Sequence, residues 1–272
     1  VTELMRFLKV RNIGIKLPEQ VPEKIRQSFN LLIPAMIVIL TIYPLNLFLQ
    51  HQFGMLLPEL IMAVFKPLIS AADSLPAILF AVFLRHTLWF AGIHGAAIVG
   101  GILAPFYLVN LGLNQDALAA GQALPHTFVE AFWSFFITLG GSGATLALVF
   151  LYMRSKSAHL RSIGKLGVVP ALFNINEPVI FGSPIVMNPI LFFPFVVAPM
   201  VNATIAWFAA TSGLIGKVIS LVPWTAPAPI GAAWGAGWMM TNRLLVITLI
   251  VIDLLIYLPF FKVYEKQLLA QE

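Results

Sequence analysis

Between Lys165 and Lys217 the chain carries a single charged side chain, Glu177. A carboxylate in so apolar a setting costs several kcal/mol if it faces lipid, so Glu177 is expected to face a polar cavity or an internal partner. Around it stand Asn174, Asn176 and Asn188, with Pro170, Pro178, Pro184, Pro189 and Gly182. Each proline removes an N–H donor and clashes with the preceding turn, which excludes a straight membrane helix. Broken backbone at membrane depth is tolerated only where it is buried in protein or lines a wet cavity. Val168–Pro189 is therefore predicted to be a re-entrant or interrupted helix that presents Glu177 near the membrane midplane, where transporters hold their substrates.

Composition supports the membrane. The chain is 60% hydrophobic and 10% charged, whereas soluble domains carry about 25% charged residues. The fold class expected is an all-α polytopic membrane protein. There is no cysteine, so neither a disulfide framework nor a phosphocysteine is available on this chain. The net charge of +5 reads as loop Lys and Arg held on one side of a membrane, not as a nucleic-acid footprint. No signal-peptide pattern opens the sequence. It starts with Val1 inside a polar connecting segment, which reads as part of a longer protein.

Basic segments orient the chain. Residues 1–27, Arg154–Lys165 and the stretch after the last span, with Lys262 and Lys266, are predicted to be cytoplasmic. Thr2–Val10 reads as an interfacial helix. Ser28–Gln50, Phe128–Met153, Ile190–Ser212 and Leu244–Phe261 are read as spans, since about 20 apolar residues cross a bilayer. Pro34 and Pro44 should kink the first, and Gly140-Gly-Ser-Gly143 permits close packing or a bend in the second. Gly54–Ser74 is read as an interfacial or re-entrant piece, Asn110–Pro125 as an extracellular loop, and Glu130 as interfacial. The proline-interrupted regions 54–101 and 167–189 are expected to form two re-entrant hairpins. The chain then divides into a basic connecting segment, 1–27, and one membrane transport domain, 28–272.

Within Leu75–Leu111 only Arg85, His86 and His94 break the apolar run. A lone histidine there is ordinarily a packing residue, but Gly92 and Gly95 leave room beside His94 for a ligand or another backbone. Arg85 and His86 read as snorkelling side chains. Leu221–Gly231 is a second proline-rich, non-helical element, and its Trp224 is either a face for a sugar ring or an interfacial anchor. Trp234 and Trp238 are read as packing or belt residues. Asp253 is either a second functional carboxylate or an internally bonded one. The histidines are too scattered for a metal cluster, and no Gly-Lys-Ser/Thr phosphate loop is present.

Three pieces in order, Leu88–Gly101, Asn174–Pro189 and Leu221–Gly231, resemble the lactose/cellobiose/diacetylchitobiose group of phosphotransferase-system permeases, the enzyme IIC subunits. The resemblance covers the C-terminal two-thirds of such a permease. It implies a subunit in the plasma membrane that binds a disaccharide and presents its 6-hydroxyl to a separate, phosphorylated enzyme IIB, itself loaded by IIA. The IIB phosphocysteine would be the donor, and this chain would need no cofactor or metal. The resemblance implies that Glu177 and His94 hold the reacting hydroxyl, with Glu177 as a positioning group or base, and that Asn174, Asn176 and Trp224 bind sugar. It further implies a homodimer, formed through an N-terminal part that this sequence lacks. The residues leave open an ion-coupled secondary sugar transporter, or an inactive truncated membrane protein.

Overall fold

The computed structural model of the chain describes residues 2–11, 13–15, 18, 23–56 and 73–270. It comprises two compact units, Val1–Pro67 and Leu68–Glu272. In the first, α1 (Thr2–Val10) packs against α2 (Glu23–Phe53) and buries Leu8. Pro34 and Pro44 both lie inside α2. Its apolar stretch Phe29–Phe53 leaves Met36, Ile39, Leu40, Tyr43 and Phe48 exposed, the state of a helix whose solvent is lipid. Most of the segment read as interfacial, Gly54–Ser74, lies outside the described residues.

The second unit is built from α3 (Leu75–Phe90), α4 (Gly95–Ala119), a short α5 (Glu130–Phe132) that passes into a π-helical turn (Trp133–Ile137), α6 (Leu146–Met153), α7 (Ala158–Leu172), α8 (Glu177–Gly182), α9 (Pro189–Thr211), α10 (Ala228–Gly235) and α11 (Met240–Leu269). Among the described residues four helices, α2, α4, α9 and α11, are long and apolar enough to cross a membrane. The others are short pieces separated by breaks. α3 and α4 form one interrupted hairpin, folded at Ala91–His94, and α7 and α8 form another, folded at Phe173–Asn176. The second interruption falls in the stretch that its prolines were expected to break, while the first falls at Gly92 and Gly95, read from sequence only as leaving room beside His94.

The segment 128–149 threads the centre of this unit. Phe135, Phe136, Ile137, Leu139 and Leu148 are completely buried. α9 packs on α3 and α11, α10 on α11, and α6 on both α7 and α11. The expected span Phe128–Met153 is thus not one helix. The chain leaves the helical state at Thr138 and regains it only at Leu146, with Gly140, Gly141 and Gly143 at φ 75°, 100° and 83°. Three left-handed residues so close together end a helix whatever the hydrophobicity around them.

The polar stretch read as a loop, Asn110–Pro125, also differs. α4 continues through it to Ala119, and Asn110 and Asn114 are completely buried. Asn110 donates from Nδ2 to Phe128 O at 2.8 Å. Asn114 donates to His126 O and Val218 O, both at 2.9 Å, and accepts from His126 N. An asparagine that satisfies backbone groups of two other segments belongs inside, although its polarity alone suggests surface. Beside this point Asp73 accepts from the amides of Thr127 and Phe128 and pairs with His126 Nδ1 at 3.1 Å.

Asp253 follows the internal reading. It is completely buried in α11 and accepts from Asn202 Nδ2 of α9 at 3.0 Å. One turn further along α11, the Tyr257 hydroxyl donates to Gly143 O at 2.6 Å.

Candidate functional site

Backbone inside a membrane must find its hydrogen bonds within the protein, because each unsatisfied group costs several kcal/mol there. Where the three breaks of the second unit converge, two asparagines do much of this. Asn174 sits in the α7–α8 turn at φ 62°, a conformation asparagine accepts more readily than most residues. Its Oδ1 accepts from Gly140 N at 3.0 Å, and its Nδ2 donates to Trp224 O at 2.7 Å and Ala226 O at 3.1 Å. Asn176 Nδ2 donates to Ser142 O at 2.6 Å and Thr145 Oγ1 at 2.7 Å. A Cβ on Gly141 would strike the Asn176 amide, so the close approach of the two breaks requires glycine there.

These breaks enclose a cavity of about 450 Å3. His94, Asn174, Asn176, Glu177 and Trp224 all line it, although they come from separate parts of the sequence. Their situations differ. Glu177 opens α8, is exposed, and makes no hydrogen bond or ion pair among the described residues. Trp224 is 52% exposed while its carbonyl is held by Asn174. His94 caps the N-terminus of α4, its Nδ1 accepting from Ala97 N at 3.1 Å. An accepting Nδ1 fixes the neutral ring as the Nε2–H tautomer, so the remaining nitrogen is a donor. The ring lies 4.4 Å from that of Trp89. Asn174 and Asn176, by contrast, have both amide hydrogens engaged with the protein.

The approach of α3 to α4 depends on Gly95. A Cβ there would collide with the Arg85 carbonyl, so the hairpin closes tightly only with glycine at the position after His94.

Residues read otherwise from sequence join the cavity wall. Arg85, expected to snorkel, lies with its guanidinium carbon 5.1 Å from the Trp133 ring centre, and its Nη2 donates to Ser142 Oγ at 3.4 Å. Glu130, expected at an interface, accepts from Ser134 Oγ at 2.6 Å. Trp89, Trp133 and Tyr107 add aromatic surface. The one available signal was indirect: an arginine at mid-helix in an apolar run needs an internal counter-group, and only another region of the chain could supply it. His86 faces away into the core, where Nδ1 lies 2.6 Å from Val82 O and the ring meets Phe195 edge-on at 5.2 Å. Trp234 and Trp238 stack on one another at the surface, outside the cavity.

A chamber with two carboxylates, one guanidinium, a donor imidazole and several aromatic rings can bind an uncharged polyhydroxylated molecule. The aromatic faces take its C–H surfaces, and the polar groups take its hydroxyls. Among the described residues no group of three or more His, Cys, Asp or Glu side chains could hold a metal.

Comparison with known proteins agrees with this chemistry. The family model described as "Phosphotransferase system, EIIC" matches residues 1–199. The putative permease IIC component YwbA of Bacillus subtilis (strain 168) is 38% identical over 274 residues, covering 100% of this chain and 62% of the relative. The lactose-specific EIICB component of Staphylococcus aureus is 40% identical over 270 residues, covering 98% of this chain and 47% of the relative. The crystal structure of the transporter ChbC, the IIC component from the N,N'-diacetylchitobiose-specific phosphotransferase system, superposes with a TM-score of 0.88 at 39% identity, covering 99% of this chain and 63% of that one. The chain therefore spans between about half and two-thirds of the length of these relatives. Its fold is that of a IIC transporter, and the chain belongs to the phosphotransferase-system EIIC family.

Proposed function

We propose that the cavity binds a disaccharide during uptake and holds its 6-hydroxyl for phosphorylation by a phosphocysteine on a separate enzyme IIB. The observation that carries this reading is the meeting of Glu177, His94 and Trp224 on one cavity, with the Glu177 carboxylate uncommitted to any described residue. The names of the lactose-specific and diacetylchitobiose-specific relatives supply the substrate class.

Phosphoryl transfer asks an enzyme mainly for positioning and charge stabilisation. In this reading Trp224 lies against a sugar face, while Glu177 accepts the hydrogen bond of the reacting hydroxyl and the His94 Nε2–H donates to a neighbouring oxygen. The 6-oxygen attacks phosphorus, the O–P bond forms as the S–P bond breaks, the cysteine leaves as thiolate, and the hydroxyl proton passes toward Glu177. The donor reaches the site from the cytoplasm, onto which the basic segments Arg154–Lys165 and Lys262–Lys266 face. The complete protein works as a plasma-membrane homodimer, a proposal that rests on the family resemblance.

The test is disaccharide uptake into membrane vesicles carrying the full-length protein, with and without phosphorylated IIB, for the wild type and Glu177→Gln. Internal sugar phosphate that requires IIB and falls by about a hundredfold or more in the variant supports the reading, the loss expected when a group that positions the reacting atom is removed. Accumulation of free sugar driven by an ion gradient without IIB overturns it in favour of an ion-coupled carrier.

A further inference from the structure

Asn174 lines the cavity, yet its amide is spent. Both Nδ2 hydrogens go to carbonyls of the proline-rich segment, Trp224 O at 2.7 Å and Ala226 O at 3.1 Å, and Oδ1 takes Gly140 N at 3.0 Å. The residue is only 8% exposed. One amide thus fastens the α7–α8 turn both to the break at Gly140 and to the proline-rich segment. Trp224, in contrast, is held through its carbonyl while 52% of the residue stays exposed. The segment around it has few amides to fix its course, since Pro223, Pro227 and Pro229 have no N–H, and its own turn is closed by Ala226 N donating to Pro223 O at 2.8 Å.

We propose that Asn174 is a positioning residue that acts through Trp224, setting the height and tilt of the indole face against the bound ligand. This deepens the proposed function and rests on it for the nature of the ligand. Asn176, whose Nδ2 is bound to Ser142 O and Thr145 Oγ1, has no link to Trp224 and is the internal comparison. Removing the Asn174 side chain frees the Trp224 carbonyl, and the indole then samples orientations that do not match a ring face.

The experiment uses the full-length protein in detergent, labelled with 5-fluorotryptophan, with the Trp224 resonance assigned through Trp224→Phe. Asn174→Gly keeps the left-handed backbone and removes the amide. The expected result is a shift and broadening of the Trp224 resonance while that of Trp238, outside the cavity, is unmoved. Cellobiose, lactose and diacetylchitobiose are then titrated. For the disaccharide that binds, Asn174→Gly weakens binding about tenfold, a loss on the scale of hydrogen-bonded positioning. In a Trp224→Ala background the same change has little further effect, because two residues acting as one unit are non-additive.

A Trp224 resonance identical in wild type and Asn174→Gly overturns the proposal, as does an equal loss of affinity in the Trp224→Ala background. If none of the disaccharides binds the wild type, the proposed ligand class fails. The fluorine spectrum then still decides whether Asn174 holds Trp224. Should Asn174→Gly not yield monodisperse protein, Asn174→Asp takes its place. It keeps the acceptor for Gly140 N and turns the two donors into oxygen facing carbonyls, and the same pair of outcomes is read.

Discussion

His94 does two jobs that a substitution can separate. Its Nδ1 caps α4 through Ala97 N, and its Nε2 side is left for the cavity. Asparagine is a good N-cap, so His94→Asn should hold the helix and lose the cavity donor. Unfolding in detergent is expected within a degree or two of wild type, with disaccharide binding weakened roughly tenfold. His94→Ala should lose both, with a further cost of about 1 kcal/mol in stability for the missing cap. If the two variants are equally stable, His94 is not the cap that fixes α4. Gly141→Ala should be worse than either. The new methyl meets the Asn176 amide, and alanine at φ 100° is strained by itself, so a loss of about 1–3 kcal/mol is expected in the same melt.

The elements of the second unit hold one another through buried polar pairs at points where helices end. Tyr257 on α11 reaches Gly143 O, inside the break between the π turn and α6. Tyr257→Phe should keep the packing and leave that carbonyl unpaired, costing about 1–3 kcal/mol in thermal or denaturant unfolding. An unchanged melt would mean that the break draws no support from α11. Asp73 gathers the amides of Thr127 and Phe128 and the ring of His126 just before α5. Asp73→Ala should therefore cost about 2 kcal/mol or more, since several donors lose one acceptor together. Faster hydrogen exchange at Thr127 and Phe128 is the local check.

At this scale the sequence was readable where its grammar is simple. α2, α9 and α11 stood out as long apolar runs, and the interruption at Asn174–Asn176 followed from the prolines around it, whereas the break at His94 was read only as room left by glycine. Phe128–Met153 looked like a span because hydropathy reports depth in the membrane and not backbone conformation. Asn110 and Asn114 looked like loop because their partners, Phe128 O, His126 O and Val218 O, are set by tertiary structure. Of the cavity wall, Glu177, His94, Trp224, Asn174 and Asn176 were picked out in the sequence. Arg85 and Glu130 were missed as wall residues, since nothing local in the chain says which way a lone charge in an apolar helix turns.

For the whole molecule, the basic segments predict a direction in the membrane. These 272 residues hold no cysteine, so a single cysteine introduced among them is their one thiol, and the unsubstituted protein serves as the control. A cysteine at exposed Ser162 or Ala270 should react with an impermeant maleimide from the cytoplasmic face only, and one at exposed Gln122 from the opposite face only. Labelling of Ser162→Cys from outside intact cells would reverse the orientation.

The bonds of Asn174 also impose a schedule on synthesis. A ribosome delivers the α7–α8 hairpin well before Trp224 and Ala226 exist, and chains are made at about 5–20 residues per second. For that interval the hairpin holds Gly140, Ser142 and Thr145, but the two Asn174 amide hydrogens wait for carbonyls not yet made. The cavity wall is thus not complete before Ala226 is made, and the break at Gly143 waits longer still, for Tyr257. Nascent chains arrested before Trp224 should show the hairpin open to proteolysis, and chains released after Ala226 should show it closed.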